Sequence, residues 1–304
     1  MIQTVLGQID AAKLGITMAH EHLSVNLGSV RGDTDSIFSY SKDLLQELKT
    51  LTDAGVHTVV EVSCNDMGRD VQALRKISQE SGLQIVCSTG FYLEKYHPAW
   101  IKDASIEDIE EIFVKDLTVG IDGTNIKAGI IGEIAGEEKR ITSSEEKVMR
   151  AAARAASKMG CAVTTHCQLG QMAPAQADLL LSEGMKPEKL ILGHLDLAND
   201  LDYYHTVLAY GVTMGFDTCG KTAYLADEAR IKNLIKLIEE GFSSQIVLST
   251  DISRKSYMSV YGGLGYARVM NYIVPQLKEH GVSTDDIDNL LSRNLARILD
   301  MAKD

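Results

Sequence analysis

The sequence predicts an α/β fold, a (β/α)8 TIM barrel carrying a metal site at the C-terminal ends of its strands. Three observations carry that prediction. Short apolar runs alternate with segments of helical period across all 304 residues, without a change of composition, a low-complexity tract or a Pro-rich linker. A chain of that length suits one large barrel or two small domains, and the unbroken alternation reads 1–304 as a single domain. Several apolar runs, moreover, end in a residue with metal-ligand chemistry, as catalytic groups do at the upper rim of a barrel. A doubly wound sheet is the alternative, but no strand is followed by Gly-x-Gly-x-x-Gly at a helix start.

Taken in order, residues 1–15 read as a small hairpin across the barrel bottom, with Gly7 between Thr4-Val5-Leu6 and Gln8-Ile9. The first strand is Ile16-Thr17-Met18-Ala19-His20-Glu21-His22, followed by a polar loop to about Ser39. Leu44, Leu45, Leu48 and Leu51 mark a helix over Lys42 to Ala54, stopped by Gly55. The strand His57 to Ser63, a helix from Arg69 to Gly82 and the strand Gln84 to Thr89 follow. Ser105 with Asp108 and Thr142 with Glu145 are capping-box patterns, opening helices that run to Gly120 and Gly160. Between these helices lies a strand from Lys127 to Glu133. The remaining strands end at His166, His194, Phe216 and Asp251, with helices at Gln171 to Glu183, Asn199 to Ala209, Tyr224 to Glu240 and Leu264 to His280. A last helix over 284–302 buries Ile287, Leu290, Leu291, Leu295 and Ile298.

His20 and His22 are two apart on a strand, so both point to one side and can converge on one ion. Glu133, His166, His194 and Asp251 close the strands Ala128–Glu133, Cys161–His166, Leu190–His194 and Gln245–Asp251. A lone strand-terminal His is usually a packing residue, but four imidazoles and two carboxylates suit a pair of divalent cations, zinc first and manganese or cobalt next. His20, His22 and Asp251 are assigned to the more buried ion, His166 and His194 to the other, and Glu133 bridges. Two such ions about 3.5 to 4 Å apart can share a hydroxide and polarise a carbonyl or phosphoryl oxygen. Asp251 is then the proton shuttle. His57, His97, His205 and His280 lie at a strand start, in a loop or on helices and read as packing or surface residues; Glu21 reads as structural, and Asp217 as a residue that orients a neighbour.

The net charge of −12 and pI near 5.2 oppose a nucleic-acid surface, and no window approaches a membrane span. The 5 cysteines show no Cys-x-x-Cys spacing and read as reduced thiols of an unexported, cytoplasmic protein. Partners are expected to be a small anionic substrate and, at the level of assembly, a second copy in a homodimer. Lys221, Arg254 and Tyr257 follow strands seven and eight, where barrels often hold phosphate, and Gly262-Gly263 lets that loop fold close. A Schiff-base lyase would need a buried lysine at a strand's upper end, where only Lys221 is near. A non-catalytic binding protein would not explain six potential ligands.

The segments His20-Glu21-His22, Gly129–Glu133, Thr164-Thr165-His166, Gly193-His194 and Ser249-Thr250-Asp251 resemble the phosphotriesterase family of the amidohydrolase superfamily. The similarity spans nearly the whole chain and is closest to the branch of phosphotriesterase homology proteins, with its lactonases of phosphorylated sugar lactones. The resemblance implies a (β/α)8 barrel, a metal pair that is usually zinc, and a role for Tyr92 at the substrate or metal centre. It implies a lactonase, with phosphotriester hydrolysis as the alternative activity. In a direct alignment the family's carboxylated bridging lysine falls on Gly132. Adjacent strand residues face opposite ways, so Glu133 reaches the metals only through a bulge or a one-residue slip.

Overall fold

The apolar runs that end in ligand-type residues are parallel strands, and a computed structural model describes them within residues 1–301. β1 (Ile2–Thr4) and β2 (Gly7–Ile9) form the expected N-terminal hairpin, with Thr4 opposite Gly7. Barrel strands β3 (Thr17–Glu21), β6 (Thr58–Glu61), β7 (Gln84–Thr89), β8 (Ile130–Gly136), β9 (Ala162–Cys167), β10 (Leu190–Gly193), β11 (Thr213–Phe216) and β12 (Ile246–Leu248) lie side by side in sequence order. Between β3 and β6, β4 (Val25–Asn26) and β5 (Ile37–Phe38) pair as a second small hairpin inside the segment read as a polar loop.

Alternation along these strands divides the core in two. Val60, Val62, Val86, Ile130, Ala162, Ile191 and Val247 fill the barrel interior, while Val59, Ile85, Ile131, Val163, Leu192 and Leu248 face the surrounding helices. Ile2 and Leu14 from the N-terminus and Leu295, Ile298 and Leu299 from the last helix join the interior cluster and close its bottom. Chemistry is thereby confined to the other end.

Local signals set the helix bounds. Ser105 and Thr142 make the capping boxes with Asp108 and Glu145 that start the helices Ile106–Thr118 and Ser143–Met159. Gly82 and Gly160 adopt left-handed backbones at the ends of Val71–Ser81 and Ser143–Met159. Three expectations are corrected. The fourth barrel strand starts at Ile130 rather than Lys127 and runs past Glu133 to Gly136. The helices expected from Tyr224 and Leu264 begin at Asp227 and Val269, so the loops after β11 and β12 are longer than the periodicity suggested. The last helical stretch runs from Thr284 to Leu299; Ala302 lies outside the described residues.

The seam between β3 and β12 is closed by side chains. Ser249 Oγ accepts from His20 N at 3.0 Å, and His20 O accepts from Asp251 N at 3.2 Å. Glu21 is fully buried and accepts from Ser249 Oγ, Thr250 N, Thr250 Oγ1 and Ile252 N at 2.6 to 2.9 Å. Its structural reading holds, and its place beside the seam explains why a carboxylate sits between two histidines.

Candidate metal centre

Glu133 is the residue around which the centre assembles. Ile131 pairs with Val163 but Ile134 with Thr165, so Gly132 and Glu133 together face the single residue Thr164. That bulge turns Glu133 inward. A Cβ on Gly132 would lie 2.1 Å from the Thr164 carbonyl oxygen, and Gly132 has φ +128, so no side chain fits where the alignment places a lysine. The Glu133 backbone is held from both sides, its N–H donating to Val62 O at 3.0 Å and its carbonyl accepting from Cys64 Sγ at 3.1 Å.

Four imidazoles surround that carboxylate. Oε1 lies 3.3 Å from His22 Nε2, and Oε2 lies 3.3 Å from His20 Nε2, 2.9 Å from His166 Nδ1 and 3.4 Å from His194 Nε2. Asp251 Oδ1 stands 3.2 Å from His22 Nε2 and 4.0 Å from His20 Nε2. His194 and Asp251 both take left-handed backbones, φ 60 and 48, which for non-glycine residues cost about 1 kcal/mol or more each. Asp217 offsets this at His194, accepting from its backbone N–H at 2.8 Å and bonding its Nδ1 at 2.8 Å. The orienting role read for Asp217 is what the structure shows.

Three groups of donor atoms lie close enough together to hold an ion: His20 with His22 and Glu133, Glu133 with His166 and His194, and His20 with His194 and Asp217; Glu133 joins the first two. A bridging carboxylate between two cation positions has this form. Both ring nitrogens of His20 are buried without a hydrogen bond, an arrangement that costs about 1 to 3 kcal/mol per group unless another partner is supplied. Charge agrees with the donor set. Burial alone would raise the Glu133 carboxyl, but the surrounding imidazoles, His20 foremost, hold it well below the usual range. Burial likewise opposes charge on His22, yet Asp251 and Glu133 raise it to about 9; Asp217 leads the groups that lift His194 well above its ordinary value. The cavity draws positive charge, and the residues present fit a pair of divalent cations.

Above the cluster lies a cavity of about 230 Å³. Tyr92, Lys221, Arg254 and Tyr257 all line it, as the sequence reading placed them, and so do Arg31, Lys95 and Gln168. Tyr92 Oη lies 3.3 Å from each ring nitrogen of His166, and burial pushes the phenol well above its usual pKa. The Lys221 ammonium is not free in its loop: it pairs with Asp251 Oδ2 and lies 5.5 Å from the Tyr257 ring centroid. Arg254 uses Nη1 on Asp33 at 2.7 Å. Arg31, which no sequence signal marked, donates to Ser253 O at 3.2 Å and has no carboxylate partner among the described residues. His97 donates from Nε2 to the Tyr92 carbonyl at 2.8 Å, His205 pairs with Glu240 at 2.6 Å, and His57 and His280 lie away from the cavity. All five cysteines are buried and free, and no helix among the described residues is long and apolar enough to cross a membrane.

A (β/α)8 barrel with this imidazole and carboxylate cluster at the C-terminal ends of its strands is a metal-dependent hydrolase. The phosphotriesterase family model matches residues 1–299, and the chain belongs to that family, whose members depend on binuclear metal. The chain is 35% identical over 280 residues to the phosphotriesterase homology protein of Escherichia coli strain K12, covering 92% of this chain and 96% of that relative. The crystal structure of the Escherichia coli protein, with phosphate in its active site, superposes with a TM-score of 0.92 at 34% identity, covering 95% of this chain and 99% of that one. N-acetyltaurine hydrolase of Xenopus tropicalis is 33% identical over 96% of each chain. A lactonase of Listeria monocytogenes superposes with a TM-score of 0.94 at 29% identity over 99% of each chain.

Proposed function

We propose that this enzyme hydrolyses a lactone that carries a phosphate away from the scissile bond, with His20, His22, Glu133, His166, His194 and Asp251 holding two divalent ions, zinc first. The observation that carries this reading is one cavity with metal-type donors on its floor and Arg31, Lys95, Lys221 and Arg254 in its wall. A cationic wall in an acidic chain suits a small anionic substrate. Arg254 spends only Nη1 on Asp33, so its Nε and Nη2 edge can grip two oxygens of a phosphate, with Lys221 as a nearby charge and Tyr257 as a neutral donor. The phosphotriesterase alternative acts on neutral esters and would give Arg31 and the free Nε and Nη2 edge of Arg254 no anion to meet.

When bound, the metal pair supplies Lewis acidity towards water and the scissile carbonyl. The chain does the rest. Asp251 takes the proton of the attacking water as the new C–O bond forms, and returns it to the ring oxygen as the lactone C–O bond breaks. Lys221 lowers the proton affinity of Asp251, which favours that return. Tyr92 stands over His166 at the cavity wall and positions the substrate there. The enzyme is read as a cytoplasmic, small-molecule catalyst, alone or as a homodimer.

A second reading draws on the relatives named N-acetyltaurine hydrolase: an amide whose amine half bears a sulfonate presents a carbonyl and a remote anion in the same relation. The test is a panel of zinc-loaded turnover measurements on a sugar-lactone phosphate, its unphosphorylated counterpart, N-acetyltaurine and a dialkyl aryl phosphotriester. The phosphorylated lactone should show the highest kcat/KM, and Arg254→Met should raise its KM far more than that of the unphosphorylated lactone. Preference for N-acetyltaurine would promote the second reading. Preference for the phosphotriester would overturn both.

A further inference from the structure

Three of the four ring systems in the centre meet a fixed oxygen on the side turned away from Glu133. His22 Nδ1 lies 2.9 Å from Ser63 Oγ, whose own proton goes to Glu61 at 2.5 Å, so the hydroxyl oxygen accepts from the ring. His194 Nδ1 meets Asp217 at 2.8 Å. His166 Nε2 meets Gln168 Oε1 at 2.7 Å. Gln168 is two residues past His166, on the same side of the chain as β9 ends, and nothing above assigns it a function.

His166 needs such a partner more than the other two. Its Nδ1 faces the centre, 2.9 Å from Glu133 Oε2 and 2.8 Å from His194 Nε2. Its backbone is fixed, because the His166 carbonyl accepts from Gln176 Nε2 at 3.1 Å. Rotation of the ring about its Cβ–Cγ bond is not fixed by that contact. A half-turn would replace Nδ1 by a carbon and remove the donor from the centre. Tyr92 Oη cannot choose between the two orientations, standing 3.3 Å from each nitrogen. Gln168 can: a carbonyl oxygen at 2.7 Å requires an N–H in that position and repels a lone pair or a C–H edge.

We propose that Gln168 is a positioning residue of the metal pair, holding His166 as the Nε2–H tautomer so that the Nδ1 lone pair faces the ion shared with His194 and Glu133. The assignment rests on the metal-pair reading above. It predicts that Gln168 acts on one ion and not on the other, since its side chain hydrogen-bonds His166 and neither His20 nor His22. Orienting partners of this kind are typically worth about 10- to 100-fold in metal affinity.

The experiment strips the full chain with a chelator, reloads it with zinc and titrates both ions against a competing chelating dye, for wild type, Gln168→Met and Gln168→Glu. Gln168→Met should release one ion about 10- to 100-fold more readily and leave the other unchanged, while Gln168→Glu, which keeps an acceptor, should retain both. In the zinc-loaded, ¹⁵N-histidine-labelled protein, the His166 Nε2–H should be protected from exchange in wild type and lose that protection in Gln168→Met. Should Gln168→Met fail to fold, Gln168→Lys provides a polar side chain without an acceptor. Unchanged affinity for both ions, equal weakening of both, or an unchanged Nε2–H signal in the acceptor-free variant overturns the proposal. A wild type that binds two ions but cleaves neither lactone nor amide sinks the proposed reaction and leaves this assignment standing. A wild type that takes up a single ion sinks the metal pair and this assignment together.

Discussion

Glu21→Gln tests whether the barrel seam holds Asp251 in place. Glu21 Oε1 accepts from Ser249 Oγ at 2.7 Å, Thr250 N at 2.8 Å and Thr250 Oγ1 at 2.6 Å, and Oε2 accepts from Ile252 N at 2.9 Å. Glutamine offers one carbonyl oxygen. If that oxygen keeps the three-bond side, the new amide NH2 confronts the Ile252 N–H, leaving a buried donor unpaired at about 1 to 3 kcal/mol. Three further bonds lose their charge assistance, at roughly 0.5 kcal/mol or more apiece. Against this, burial pushes the Glu21 carboxyl up, so removing its charge recovers part of the desolvation cost. A net loss of about 2 to 4 kcal/mol follows, a large share of the roughly 5 to 15 kcal/mol that holds a typical domain. Thr250 and Ile252 flank Asp251, whose φ of 48 depends on that anchorage. Urea unfolding should therefore show lower stability, and zinc titration should show weaker binding of the ion shared by His20 and His22. Wild-type stability with both ions held at wild-type affinity would refute the seam as the device that positions Asp251.

Asp251→Asn should keep the fold and at least one ion while losing on the order of 10² to 10⁴ in turnover, measured at saturating substrate; near-native turnover with both ions bound would remove Asp251 from proton transfer. Gly132→Ala should cost several kcal/mol in urea unfolding, because its Cβ would meet the Thr164 carbonyl oxygen at 2.1 Å, and should weaken both ions through Glu133; a native melt and full metal content would contradict the bulge. Glu133 brings its own carboxylate, so reconstitution should proceed as well in bicarbonate-free buffer, and a strong bicarbonate requirement would point to a carboxylated lysine instead. Asp66 accepts the Tyr92 N–H at 3.0 Å, and its carboxyl is pushed up to about 7, chiefly by burial. A raised carboxyl is protonated in the folded chain while still ionised in the unfolded one, so its contribution to stability is complete below about pH 4 and is lost as the pH rises towards 7. Asp66→Asn should flatten that part of the stability profile measured by urea unfolding; an unchanged slope between pH 4 and 7 would exclude Asp66 as its source.

The sequence by itself determined the barrel and five of the residues in its cluster, because those facts are local. An apolar run ending in a ligand-type residue is a strand delivering that residue to one rim, and the two-residue spacing of His20 and His22 at the end of β3 was enough to pair them, as both rings reach Glu133. Capping boxes at Ser105 and Thr142 work through hydrogen bonds three residues apart, so their helices were legible without partners. Tertiary structure decided the rest. Glu133 reaches the centre only through a register shift against β9, a relation between two strands that neither strand encodes alone. Lys221 reads in sequence as a cation free to meet a phosphate, but folding sets it on Asp251, 30 residues away. Gln168 carried a faint signal at two residues beyond His166, whereas Arg31, Asp33 and Ser63 carried none. Loop conformation and the distances between strand ends place these residues, and both arise only when the barrel closes.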